Sequence, residues 1–183
     1  MRRAGLVGLF GSAGLFPTLL VTMLLAAGCV VAPPAGVPVA SKAGLLPADA
    51  RALRYGASAP AAFDNPELRD KVRGLFGSDW APATQGGGRL QHGAAAYFPA
   101  SSALRMLRIE GQDYIAITGC VSSACGTHRG LVLIRADGEE LWARLDEGGF
   151  ARYYGYGPAM TGARVSPPFI DGAWRAIEQV ERA

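Results

Sequence analysis

The sequence predicts an α+β domain: an antiparallel sheet preceded by an N-terminal helix and closed by a short C-terminal one. Three observations carry this expectation. Apolar residues recur at helical spacing between Phe63 and Phe76, and again from about Asp171 onward. Between them, from Ala103 to Leu145, β-branched and aromatic runs alternate with short polar or Gly-containing turns. These runs follow one another too closely for helical crossovers, which favours antiparallel pairing.

The elements can be taken in order. Arg2 and Arg3 open the chain, and Leu6 to Leu25 is apolar apart from interruptions such as Gly8, Gly11, Gly14 and Pro17. Ala26, Ala27 and Gly28 then precede Cys29. Charge, apolar run and small-residue site form the pattern of a secretory signal peptide. The run approaches the roughly 20 residues that span a bilayer, but its glycines and proline argue against a transmembrane anchor. Leu25-Ala26-Ala27-Gly28-Cys29 resembles a bacterial lipobox, with Ala26 where Leu is commoner. Residues 1–28 are thus expected to be a lipoprotein signal peptide, with Cys29 the acylated lipid-attachment residue. Acyl chains such as palmitate anchor a protein at about 0.8 kcal/mol per buried methylene. Val30, rather than Asp, after the cysteine favours the outer membrane over the inner and a periplasm-facing domain.

Residues 29–60 are rich in Ala, Pro and Gly and poor in large apolar side chains. Such a segment buries too little surface to fold alone, so a flexible tether is expected, with at most a short helix near Pro47 to Tyr55. The folded domain is expected over 61–183.

Its first helix should run from Phe63 to Phe76. Asp64 or Asn65 can cap it, Pro66 suits the first turn, and Leu68, Val72, Leu75 and Phe76 make one stripe. Trp80 and Pro82 mark a turn. Gly86-Gly87-Gly88 reads as a loop, since no Lys-Ser/Thr follows it as a phosphate loop requires. Strands are then expected at Leu104–Ile109, Tyr114–Thr118, Leu131–Ile134 and Leu141–Leu145, with turns at Glu110-Gly111 and Asp137-Gly138. Gly148 to Pro158 mixes Phe150, Tyr153, Tyr154 and Tyr156 with glycines, and reads as a loop whose rings pack over the sheet edge. Pro167-Pro168 leads into a helix from about Asp171, with Trp174 and Ile177 inward.

The chain has 183 residues, enough for one ordinary domain. Of its 18 Lys and Arg, Arg2 and Arg3 precede Cys29, leaving 16 basic against 15 acidic groups in the remainder. That balance gives no electrostatic case for nucleic acid.

Three cysteines occur. With Cys29 acylated, Cys120 and Cys125 remain, enclosing Val121, Ser122, Ser123 and Ala124. In an oxidising compartment so close a pair most simply forms a structural disulfide. Metal binding there is poorly supported, because only His128 lies nearby in the sequence and no carboxylates cluster. Redox chemistry usually shows two residues between the cysteines, not four. Ser122 or Ser123 beside His128 suggests a nucleophile and base, yet no Gly-x-Ser-x-Gly elbow surrounds them. His92, in a Gly- and Ala-rich stretch, reads as a surface residue. Neither an enzyme nor a cofactor is expected.

Tyr114 to Arg129 reads Tyr-Ile-Ala-Ile-Thr-Gly-Cys-Val-Ser-Ser-Ala-Cys-Gly-Thr-His-Arg. It resembles the core motif of the Ivy family, bacterial inhibitors of vertebrate c-type lysozyme: Tyr114, Cys120, Cys125, Gly126 and Arg129 stand at the family's spacing. The resemblance implies a periplasmic α+β domain, often a homodimer, that blocks a lysozyme with its disulfide loop. It makes Val121, Ser122, Ser123 and Ala124, with His128 beyond the ring, the partner-binding loop. The family's ring carries a His that meets the enzyme's catalytic carboxylates, whereas this ring carries Ser122, Ser123 and Ala124. The expected partner is a muramidase, either a c-type lysozyme or a lytic transglycosylase. The alternative is a non-inhibitory binding or immunity lipoprotein that turns the same domain to another envelope partner.

Overall fold

The computed structural model describes residues 43–47, 49–158 and 167–181. The expected signal peptide, the expected attachment site at Cys29 and residues 29–42 of the expected tether lie outside them.

The fold is α+β. Among the described residues a six-stranded sheet runs in simple sequence order, every neighbour antiparallel. Its strands are β1 (Ala43–Leu45), β2 (Ala103–Ile109), β3 (Gln112–Cys120), β4 (His128–Arg135), β5 (Leu141–Glu147) and β6 (Phe150–Tyr156). Side chains alternate between two buried faces. On one face Met106, Ile115, Ile117, Val132, Ile134, Leu141, Ala143, Leu145 and Tyr154 lie in a core with the N-terminal helices. On the other, Leu107, Ile109, Tyr114, Ala116, Leu131, Leu133 and Trp142 pack beneath the C-terminal helix. Two covered faces explain the unbroken apolar runs in β3 and β4, where a sheet with one wet face would alternate.

The N-terminal layer consists of α1 (Ala59–Phe63), α2 (Arg69–Phe76), α3 (Ala83–Gly86) and 3-10 turns over Ala50–Leu53, Gly77–Trp80 and Ala94–Tyr97. The single helix expected over 63–76 is interrupted: α1 ends at Phe63, residues 64–68 turn, and α2 begins at Arg69. Pro66 disfavours helical geometry at Asn65 and brings no amide of its own. Asn65 Oδ1 instead accepts from the Glu67 amide at 2.9 Å, and the Asn65 carbonyl accepts from Leu68 and Arg69. The stripe is nonetheless intact: Leu68, Val72, Leu75 and Phe76 are all buried.

The tether boundary at 60 also moves. β1 pairs with Leu107–Ile109 of β2, and Tyr55 is buried with its carbonyl accepting from Asn65 Nδ2 at 3.1 Å. The 3-10 turn at Ala50–Leu53 falls inside the short helix expected near Pro47 to Tyr55, with Asp49 capping it through the Arg51 amide. Composition hid this segment, because it adds to a core whose other walls are supplied later in the chain.

Gly148 to Pro158 is not a loop. Gly148 and Gly149 form a two-residue turn, and Phe150–Tyr156 returns as edge strand β6, with Tyr154 buried among Phe76 and the helical layer. The last helix, α4, spans Pro167–Glu181 and so begins four residues before Asp171. Prolines in a first turn forfeit only amides that have no helical partner. Ile170, Ala173, Trp174 and Ile177 face the sheet, whereas Val180 is exposed.

Candidate functional site

The site is the sheet end where β3 passes into β4. Cys120 closes β3, a tight loop follows, and His128 opens β4. Cys120 and Cys125 are joined as a disulfide, Cα to Cα 4.9 Å. Backbone bonds brace the ring from within and from its base: Ala124 N to Val121 O at 2.8 Å, His128 N to Ala124 O at 2.8 Å, and Val121 N to His128 O at 3.1 Å.

The five loop residues expected to touch a partner divide by position. Ser122 and Ser123 are exposed. Val121 is 6 % exposed and belongs to the core beneath the helical layer, and Ala124 packs against that core. Val121 therefore roots the ring and offers a partner no surface, because its apolar side chain gains more from the core than from water. His128 is half-buried, and its Nδ1 lies 2.9 Å from Thr127 Oγ1 rather than on either ring serine.

Two further segments reach this end. In the β5–β6 turn, the Gly148 amide donates to the Thr127 carbonyl at 3.1 Å, and the following residue but one, Phe150, is 76 % exposed. The other segment is the loop over 87–93. Its anchor is Asp79, 2 % exposed, whose carboxylate accepts from the Arg89 amide at 2.6 Å, the Arg89 guanidinium at 2.8 Å and Tyr154 Oη at 3.0 Å. Burial pushes the Asp79 carboxyl up, but the hydrogen bonds from Arg89 and Tyr154 prevail and hold it below the usual carboxylate range. From that anchor Leu90 is fully buried, and the Gln91 amide donates to Glu147 Oε1 at 3.0 Å. Gly93 then wedges against the backbone of Ala81 and Pro82, where a Cβ would stand 2.5 Å from the Ala81 carbonyl carbon. His92 is held between these fixed points, and its ring meets His128 edge to face, 5.3 Å between centres. Beneath them Tyr97 is fully buried, and its hydroxyl has no hydrogen-bond partner among the described residues. Its pKa is pushed up to about 12, first by burial and then by the Glu147 charge.

On the opposite side of the sheet the disulfide borders a groove of about 290 Å³ beneath α4. Thr118, Arg129, Trp174 and Glu178 help to line it. Glu178 accepts from Trp174 Nε1 at 2.9 Å and Arg129 at 3.0 Å, and the Arg129 guanidinium lies over the Trp174 ring.

The sequence reading placed the ring and His128 here and missed His92 and Phe150. No spacing rule links His92 to His128; the Asp79 anchor, the Gln91–Glu147 bond and the wedged Gly93 bring them together. Among the described residues, no set of three or more His, Cys, Asp or Glu side chains is disposed to hold a metal. Comparison with known protein families, curated proteins and solved structures finds no match. The resemblance to the Ivy family rests on the motif from Tyr114 to Arg129.

Proposed function

We propose that the chain is an envelope-anchored lipoprotein that inhibits a muramidase by presenting the Cys120–Cys125 ring to its cleft. The observation that carries this reading is the division of the ring into a buried root, Val121, and an exposed tip, Ser122 and Ser123. A loop closed by a disulfide and fixed at its root loses little conformational entropy on docking, so more of its contact energy appears as affinity. The serine hydroxyls can donate to the paired carboxylates of a glycosidase cleft, more weakly than a cation would. Phe150 opens β6 directly after the turn bonded to the ring's base and supplies a flanking apolar contact. Cys29 would tether the domain at the periplasmic face of the outer membrane.

The test is titration of the intact, oxidised chain into turnover assays of a c-type lysozyme and a lytic transglycosylase. Dose-dependent inhibition of one of them is expected, lost on reducing the ring and weakened at least tenfold by Ser122→Asp with Ser123→Asp, whose carboxylates repel those of the cleft. If the oxidised chain inhibits neither enzyme, the reading fails.

A further inference from the structure

The chain contains two histidines, and the fold brings them together. We propose that His92 and His128 form a two-ligand site for a borderline divalent transition-metal ion such as Zn²⁺, Cu²⁺ or Ni²⁺, with water in the remaining positions. The inference is independent of muramidase inhibition.

Three observations support it. The first is separation. Metal–imidazole bonds of about 2.0–2.1 Å place each ring centre roughly 3.2 Å from the ion, so two imidazoles at a tetrahedral angle have centres about 5.2 Å apart. The observed separation is 5.3 Å, and the rings stand at 84°. From this edge-to-face arrangement the rings must rotate for two nitrogens to face one ion, and both rings are only half-buried. The second is orientation. The Thr127 hydroxyl donates to the Ala124 carbonyl at 3.4 Å, so its oxygen is placed to accept from His128 Nδ1–H at 2.9 Å, the tautomer that leaves Nε2 for the metal. An oxygen partner on the non-ligating nitrogen is the usual support of a metal-binding histidine. The third is the rigidity of the segment that carries His92. Leu90 is buried, the Gln91 amide is bonded to Glu147, and Gly93 is wedged against the 81–82 backbone. Two fixed ligands bind better than two mobile ones, because their ordering cost is already met.

Glu147 is the cross-strand neighbour of His128, but its carboxylate is occupied by the Gln91 amide and the Arg152 guanidinium. It braces the site and does not complete it, in keeping with the lack of a three-residue ligand set among the described residues. Imidazole ligands suit Zn²⁺, Cu²⁺ and Ni²⁺ and disfavour Mg²⁺ and Ca²⁺, which prefer oxygen.

The experiment uses the untagged full-length chain, with Cys120–Cys125 oxidised and any free Cys29 thiol alkylated. Cu²⁺ is titrated with electron paramagnetic resonance as the readout, and Zn²⁺ by calorimetry. One ion per chain is expected, with hyperfine splitting from two imidazole nitrogens, which in dilute monomer can come only from this pair. His92→Gln and His128→Gln should each weaken binding at least tenfold and leave one imidazole nitrogen. Thr127→Val should weaken it about tenfold while keeping both, since it removes only the orienting partner. Near-UV circular dichroism checks that each variant keeps its packing. A one-nitrogen spectrum in the unaltered chain, or full affinity in His92→Gln, overturns the site.

Discussion

Asp79 shows how one buried charge can position a surface. Its carboxylate gathers Arg89 and Tyr154 and so ties the 87–93 loop to β6. Replacing it with Asn keeps the shape, turns an amide toward the Arg89 guanidinium and removes the charge assistance from every bond. Asp79→Asn should cost about 2–3 kcal/mol in urea unfolding. Because the folded-state pKa is depressed, this contribution is fully present above the unfolded value of about 3.9 and disappears as pH falls through the folded one. The urea midpoint of the parent should accordingly drop more steeply between pH 5 and pH 3 than that of Asp79→Asn. Within the ring, residue roles separate by measurement. Val121→Ala should lower stability by about 1–2 kcal/mol through lost burial, whereas Ser122→Ala and Ser123→Ala should leave the urea midpoint within error. The sequence placed all four ring residues on one footing, because alternation cannot be read across a tight loop. It likewise left His92 on the surface, since Asp79 and Arg89 are ordinary polar residues until folding buries the carboxylate.

Elements were legible where local chemistry decides them. The β2–β3, β3–β4 and β4–β5 turns and the strands beside them follow from apolar runs broken by Gly, Asp and a cysteine pair. The β2–β3 turn is a two-residue connection in which Glu110 has φ of 52° and Gly111 φ of 84°. Such turns favour Asn at the first position, because an ordinary side chain pays a steric penalty in the left-handed region. Glu110→Asn should raise stability by about 0.5 kcal/mol, measured as a higher urea midpoint at unchanged slope. Where tertiary contact decides, the sequence was silent. In β6, the polar tips of the tyrosines and the glycine between them mask a strand whose inward residue, Tyr154, is recognised only by its partners Phe76 and Asp79. The break at Pro66 was legible in principle, but the continuous stripe from Leu68 to Phe76 drew the helix start backward. α4 was seen through Trp174 and Ile177, the residues that cover the second sheet face. Trp174 is 7 % exposed and stacks under Arg129 and Arg144. Trp174→Ala should cost about 3 kcal/mol, readable in the same unfolding assay.

For the molecule as a whole, the question is whether its two ends fold as one unit. β1 pairs with Leu107–Ile109 at one end of the β2–β3 ladder, while the disulfide ring continues β3 beyond Thr118, the partner of Ala103 at the other. A chain starting at residue 61 lacks β1, Ala52, Tyr55 and Ala59, and so uncovers the β2 edge together with part of both cores. Losing one large buried side chain and an edge strand should cost about 3 kcal/mol or more. Reducing Cys120–Cys125 should cost about 2 kcal/mol by loop-closure entropy, since the ring is short. The two changes act at opposite ends of the β2–β3 ladder. In a two-state domain their effects should therefore add to within about 0.5 kcal/mol. Urea curves of the full-length chain and the chain from residue 61, each oxidised and reduced, give the four stabilities needed. Additivity with unchanged slopes would mean that the ring is carried by a fully folded sheet, as a rigid docking element must be. A reduced form that gains nothing from β1 would mean that the ring end opens on its own, and its stiffness could not then be credited to the rest of the fold.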